Sequence, residues 1–319
     1  MSDRFTSQRG ARQLLRERRL GGGQIAENFR RLLARDATGA LNQMRRKGKV
    51  TLNSDDLFLL CPEYAEQPEQ RPILGPQLYQ VARRFIDRSY ERLLSRRVRG
   101  DDTVVFTAGG SATGKSTILR AAGKRSGVDF IVDTTFSDTK RALAQVDRAL
   151  SAGRKVEIYY VYRHFRDSVV SMLKRAHDPA SGRLVPVDDM ARTHYGAPRA
   201  ILAALQKYQK DRRVLIRLTK NEGGRRLSQM TLRDFERHIP KKIDDLQLLG
   251  QSVLNGLYKS TRGKRKSGAR NRKDHDVRRN GLSLRFALYK AARSKAQTAG
   301  TTSRKGNARP RKPSAKKST

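Results

Sequence analysis

Gly109, Gly114, Lys115 and Ser116 stand at the spacing GxxxxGK[ST] inside the run GGSATGKS. Phosphate binding explains that spacing. Small residues let successive backbone N–H groups turn toward one anion, and a helix starting at the lysine adds the positive end of its dipole. The segment Gly109, Gly110, Ser111, Ala112, Thr113, Gly114, Lys115, Ser116 and Thr117 is therefore expected to wrap a nucleoside triphosphate, ATP or GTP. Lys115 would reach the β- and γ-phosphates, and the Ser116 hydroxyl would ligate Mg²⁺.

Carboxylates and arginines complete the set that could move a phosphoryl group. Asp133 closes the apolar run VDFIV. A strand-end acid beside such a loop either approaches Mg²⁺ or caps the turn before Thr134 and Thr135. Asp55 and Asp56 follow the β-prone run Val50, Thr51 and Leu52, where paired acids offer a base or cap the next helix. Arg163, Arg166, Arg175, Arg183 and Arg192 lie downstream of a strand ending near Val161. Cations there could neutralise a transferring phosphoryl group, although any one of them could equally be solvated in so basic a chain.

These residues need elements to hold them. Short β-prone runs at 103–107 (TVVFT), 128–132 (VDFIV), 155–161 (KVEIYYV) and 213–219 (RVLIRLT) alternate with helix-period segments. That alternation predicts an α/β fold, a doubly wound parallel sheet with helices on both faces. Right-handed crossovers bring the carboxyl ends of its strands to one edge, where ligands bind. A helix over 76–97, with Leu78, Val81, Phe85, Ile86, Leu93 and Leu94 on one side, leads into the Gly-rich loop.

Three regions follow from composition. Residues 1–48 read as a basic helical arm broken at Gly21, Gly22 and Gly23, and residues 49–257 as the nucleotide-binding domain. Residues 258–319 read as a basic tail, largely too poor in apolar residues to fold, with one short helix expected at 281–294. Seventy Lys and Arg face thirty Asp and Glu, a net charge of +40, so polyanionic partners are expected, nucleic acid through the tail among them. Cys61 is the single cysteine, which excludes an intramolecular disulfide and a cysteine-built zinc site. No apolar run approaches a membrane span and the first residues carry no secretory pattern, so a cytoplasmic protein is expected.

From about Val50 to Thr219 the chain resembles the zeta-toxin type of P-loop kinase. The pieces that match are NSDDLFLLCPEY, the run IVDTT, the unit DTKRALAQVDRALSAGRKVEIYYVY, and Arg175 followed by Arg183 to Pro186 and His194. The resemblance implies that Asp55 is the base that deprotonates a sugar hydroxyl. It implies that Lys115 and Ser116 hold ATP and Mg²⁺, that Asp133, with Thr135 beside it, meets the substrate sugar, and that Arg175 and Arg183 contact transferring phosphates. Known members phosphorylate UDP-N-acetylglucosamine, and an antitoxin-like protein enters the range of partners. Two features depart from the family. The strand bearing Asp55 precedes the Gly-rich loop instead of following it, and Asp133 stands where many members carry Glu.

The expected function is ATP- and Mg²⁺-dependent phosphoryl transfer to a hydroxyl of a small-molecule acceptor. A polynucleotide kinase and a nucleic-acid-binding protein with a regulatory ATP site are the alternatives. A base at Asp55 separates the transferases from the pure binder.

Overall fold

The computed structural model describes residues 23–46, 48–67, 70–98, 102–122, 125–177, 185–223 and 226–263. All of them fall within one compact unit, Met1–Arg270. The helix expected at 281–294 and the rest of the tail beyond 263 lie outside the described residues.

Two helices open the chain, α1 (23–35) and α2 (Ala37–Gln43), followed by β1 (Arg45–Arg46) and β2 (Lys49–Leu52). Then come α3 (Ser54–Phe58), α4 (Pro62–Glu66), α5 (Arg71–Leu94) and β3 (Thr103–Ala108). The order continues α6 (Lys115–Ala122), β4 (Val128–Val132), α7 (Thr139–Ser151), β5 (Lys155–Tyr162), α8 (Phe165–His177) and α9 (Val187–Tyr208). β6 (Val214–Gly223), β7 (Arg226–Gln229), α10 (Leu232–Arg237) and α11 (Ile243–Gly263) complete it.

The strands form one seven-stranded sheet in the order β1-β2-β4-β3-β5-β6-β7. β2, β4, β3, β5 and β6 run parallel, and β1 and β7 join the two edges antiparallel. β3 lies at the centre, and all six of its residues are buried. Its apolar run TVVFTA suits a strand covered on both faces.

The two faces are covered unequally. Phe106, Phe130, Val132, Val156, Ile158 and Tyr160 point into the main core with side chains of α5, α7 and α9. On the other face Val105, Val128, Ile131 and Tyr159 pack with Leu119 of α6. Phe29 and Leu33 of α1, with Ala40 and Leu41 of α2, belong to the main core too. Arg30, Arg31 and Arg35 thus sit on a helix, α1, whose apolar side is anchored.

The amino end of the sheet is tied by Arg154, which is 1% exposed. Its guanidinium donates to the carbonyls of Ala152, Leu93 and Arg96 and faces Asp129 at 3.4 Å. A buried cation with that many partners resists displacement, because removing them would leave its charge unpaired. The carboxyl end of the sheet, in contrast, opens into a cleft.

Candidate active site

Strand register explains how distant residues meet. Leu52 of β2, Val132 of β4 and Phe106 of β3 lie level across three strands. The next residue on each strand is Asn53, Asp133 and Thr107, so these three side chains share the carboxyl edge. Thr107 Oγ1 donates to Asp133 Oδ1 at 2.7 Å, and Asn53 Nδ2 donates to Asp133 Oδ2 at 3.0 Å. Hydrogen bonds to both oxygens fix the orientation of the carboxylate.

Asn53 does a second job. It is the N-cap of α3, its Oδ1 accepting from the Asp55 backbone N–H at 2.8 Å. The cap is thus Asn53 and neither acid, and Asp55 and Asp56, in the first turn, both line the cleft.

The Gly-rich loop leaves β3 and enters α6 at Lys115. Gly114 has φ +98°, and a Cβ there would lie 2.3 Å from Asn221 Nδ2. Asn221 itself donates to Thr113 O at 2.7 Å, so β6 braces the loop from one side. A Cβ on Gly110 would lie 2.1 Å from the ring of His194. Here α9 braces the other side. His194 Nε2 meets Ser111 O at 3.0 Å, and Thr193 Oγ1 accepts from the Ser111 N–H at 3.1 Å. Burial drives the His194 pKa down to about 4, against the Ser111 contact that pulls it up.

Lys115 Nζ donates to Gly109 O at 3.0 Å and to Gly110 O at 2.8 Å. Burial lowers its pKa to about 8, with Asp133 pulling it up and Arg175 pushing it down. A charged ammonium held against carbonyls is a cation ready for anionic phosphate. Ser116, next in the helix, is exposed.

A cleft of about 820 Å³ unites these groups. Its walls hold Ser111 to Ser116 of the loop, Asp55, Asp56, Asp133, Thr135 and Arg175. Of the expected site, Gly109, Gly110 and Thr117 are not part of that wall, and Arg183 lies outside the described residues. Arg192 reaches the cleft, whereas Arg163 lines a smaller cavity behind the loop with His164 and His238. Thr135 Oγ1 is shared with Ser137 Oγ at 2.9 Å.

Sequence reasoning missed the far end of the cleft, where Arg71, Arg83 and Arg141 stand with Phe58, Tyr64 and Tyr79. Arg71 is 7% exposed and donates to the carbonyls of Tyr64 and Ala65 at 2.9 and 3.0 Å. Arg141 is paired with Asp87. No local motif marks these arginines; only the packing of α5 against β2 and the pairing of α7 with α5 gathers them. Asn53 had a readable signal, because Asn-x-Asp before a helical turn is a capping pattern.

Among the described residues no group of three His, Cys, Asp or Glu forms a metal site, and no helix is long and apolar enough to cross a membrane. The Ser116 hydroxyl and the Asp133 carboxylate are hard oxygen donors, the type Mg²⁺ takes together with substrate phosphates.

Residues 124–233 match the family model of the Zeta toxin family. The matched segment contains Asp133, Thr135, Arg175 and His194, while the Gly-rich loop and Asp55 precede it. Among solved structures, a chain of the PezAT chromosomal toxin-antitoxin system of Streptococcus pneumoniae is 12% identical, with 54% of this chain and 97% of that chain covered and a TM-score of 0.33. A chain of the AvrRxo1-ORF1:-ORF2 complex is 13% identical, with 59% and 80% covered and a TM-score of 0.39. No curated protein matches the chain. The matched segment, about a third of the chain, runs from β4 through β6 into α10, and over it the chain is similar to the Zeta toxin family, with a P-loop on the central strand of a mainly parallel sheet.

Proposed function

We propose that the chain transfers the γ-phosphoryl group of ATP to a hydroxyl of a small phosphate-bearing acceptor, and that this acceptor is a nucleotide sugar such as UDP-N-acetylglucosamine. The observation that carries the reading is the shared cleft. One end is the phosphate-binding loop, the middle holds Asp55 and Asp133, and the far end presents arginines and aromatic rings suited to phosphates and a planar base.

Each residue then has a part. Lys115 exchanges its loop carbonyls for the β- and γ-phosphates, and Arg175 adds a second cation as charge develops on the transferring group. Asp55 accepts the proton of the acceptor hydroxyl, whose oxygen attacks the γ-phosphorus while ADP leaves. Asn53 and Thr107 keep Asp133 turned toward the cleft. Ser116 and Asp133 would hold Mg²⁺, which when bound supplies charge neutralisation at the β- and γ-phosphates. Arg71, Arg83 and Arg141 receive the acceptor's own phosphates. As a zeta-toxin-type enzyme it would also take an antitoxin-like protein as partner.

The test uses γ-labelled ATP and Mg²⁺ with separate panels of UDP-sugars and 5′-hydroxyl oligonucleotides. Label in the UDP-sugar panel is expected. Label in oligonucleotides alone overturns the acceptor, and label in neither overturns the transfer.

A further inference from the structure

The outward side of α5 carries Arg84, Arg88 and Arg92, all exposed. Successive members are four residues apart, about 6 Å along the axis, so the guanidinium groups form one row. Arg96 and Arg97 follow just beyond the helix, also exposed. The two acids in this part of α5 do not compensate them. Asp87 is turned to Arg141 and Glu91 to Arg148, both on α7. Among the described residues Arg84, Arg88 and Arg92 form no ion pair.

Like charges one turn apart repel and weaken a helix. The negative end of the helix dipole offsets this at Arg92, in the last turn, but not at Arg84 and Arg88 nearer the middle. An external polyanion would relieve it at all three. The same four-residue series begins at Pro76, which lines the cleft beside Tyr79 and Arg83. Tyr79 is 42% exposed.

We propose that this row docks the phosphate backbone of single-stranded nucleic acid, with Tyr79 stacking a base at the cleft end. Protein partners are usually anchored by apolar and aromatic residues at the centre of a patch. From Gln80 to Leu94 the exposed positions of α5 are Gln80, Arg84, Arg88, Glu91 and Arg92, which offer no such anchor. Arginine instead grips phosphate through paired N–H donors, and an exposed ring at the end of such a track, here one helical step from Pro76, offers a platform for an unpaired base. Docking needs no ATP and shares only Tyr79 with the proposed transfer, so the arginine row is tested separately from it.

The experiment measures binding of a fluorescein-labelled single-stranded oligonucleotide by the full-length chain, without nucleotide, across a range of salt. The triple variant Arg84→Gln, Arg88→Gln, Arg92→Gln is compared with Lys312→Gln, Lys316→Gln, Lys317→Gln, which removes the same charge from the tail. The α5 variant is expected to lower the slope of log affinity against log salt by about 2, from about 0.7 for each phosphate released, and the tail variant by clearly less. Tyr79→Ala is expected to weaken single-strand binding about 10-fold and duplex binding little. Unchanged circular dichroism and ATP binding confirm that the α5 variant is folded; should it not fold, Arg88→Gln alone must still lower the slope by about 0.7. Equal slope losses in the two triple variants would reduce the row to bulk charge and overturn the proposal. Competition by polyglutamate as effective as by the oligonucleotide would overturn it in favour of an acidic protein, and sensitivity confined to anionic vesicles in favour of a membrane surface.

Discussion

The two ends of the cleft are built in different ways. The donor end is one continuous loop, Ser111 to Ser116, whose chemistry is contained in eight consecutive residues of GGSATGKS. The acceptor end draws on β2 and α3 for Asn53 and Asp55, on β4 for Asp133, on α5 for Arg71 and Arg83, and on α7 for Arg141. A phosphate needs a ring of donors that a short backbone segment can supply alone. A general base beside an acceptor must stand across a gap from the donor, which no short segment can span. The donor end is therefore a motif, and the acceptor end is a product of sheet order.

Replacing one residue at each end should expose this difference. Lys115→Ala is expected to give the largest loss, about 10³-fold in turnover together with weaker ATP binding, because it removes a preorganised cation from the transferring group. Steady-state kinetics and nucleotide titration on the folded variant check it. Unchanged turnover would break the donor end of the comparison.

Asp55→Asn should leave ATP affinity nearly intact and lower transfer about 10²-fold, the scale of a positioned base. Asp56→Asn should do less. A larger loss at Asp56, or none at either, would show that the base has been placed on the wrong residue of the first turn.

Asn53→Ala sharpens the comparison further, since Asn53 both caps α3 and holds Asp133. Losing the cap should cost about 1 kcal/mol of stability, and releasing Asp133 Oδ2 should lower turnover by about 10-fold, less than Asp55→Asn. Asn53→Ser, which can still cap, should restore stability without restoring turnover. Full recovery of both would mean that the bond to Asp133 is incidental.

The last effect is on stability alone and concerns the donor end's reliance on α9. In the folded chain His194 stays neutral until about pH 4, whereas unfolded histidine takes a proton near 6.5. Between these values the unfolded state binds more protons, so stability rises with pH and is lost on acidification, by about 3 kcal/mol across the window. Urea unfolding at neutral and acidic pH should show a shallower pH slope in His194→Gln than in the parent chain. Parallel slopes would show that His194 is not the group that resists protonation.

The sequence alone determined whatever depends on neighbours along the chain. The Gly-rich loop could be read because its small residues, its lysine and its following helix are all local requirements. The strands at 103–107, 128–132 and 155–161 could be read because a strand covered on both faces is rich in apolar and β-branched residues. Even Asp55 and Asp133 could be singled out, since strand-end acids fall at the edge where parallel strands converge. Tertiary structure decided what surrounds those acids there. That β2 lies beside β4, although the loop and α6 intervene in the chain, sets Asn53 level with Asp133 and joins both to Thr107. Likewise Arg141 meets Asp87 across 54 residues, and His194 supports Ser111 across 83. Such contacts leave no periodic trace in the sequence, because hydrogen bonds and ion pairs depend on distances that only the packed sheet and its helices fix.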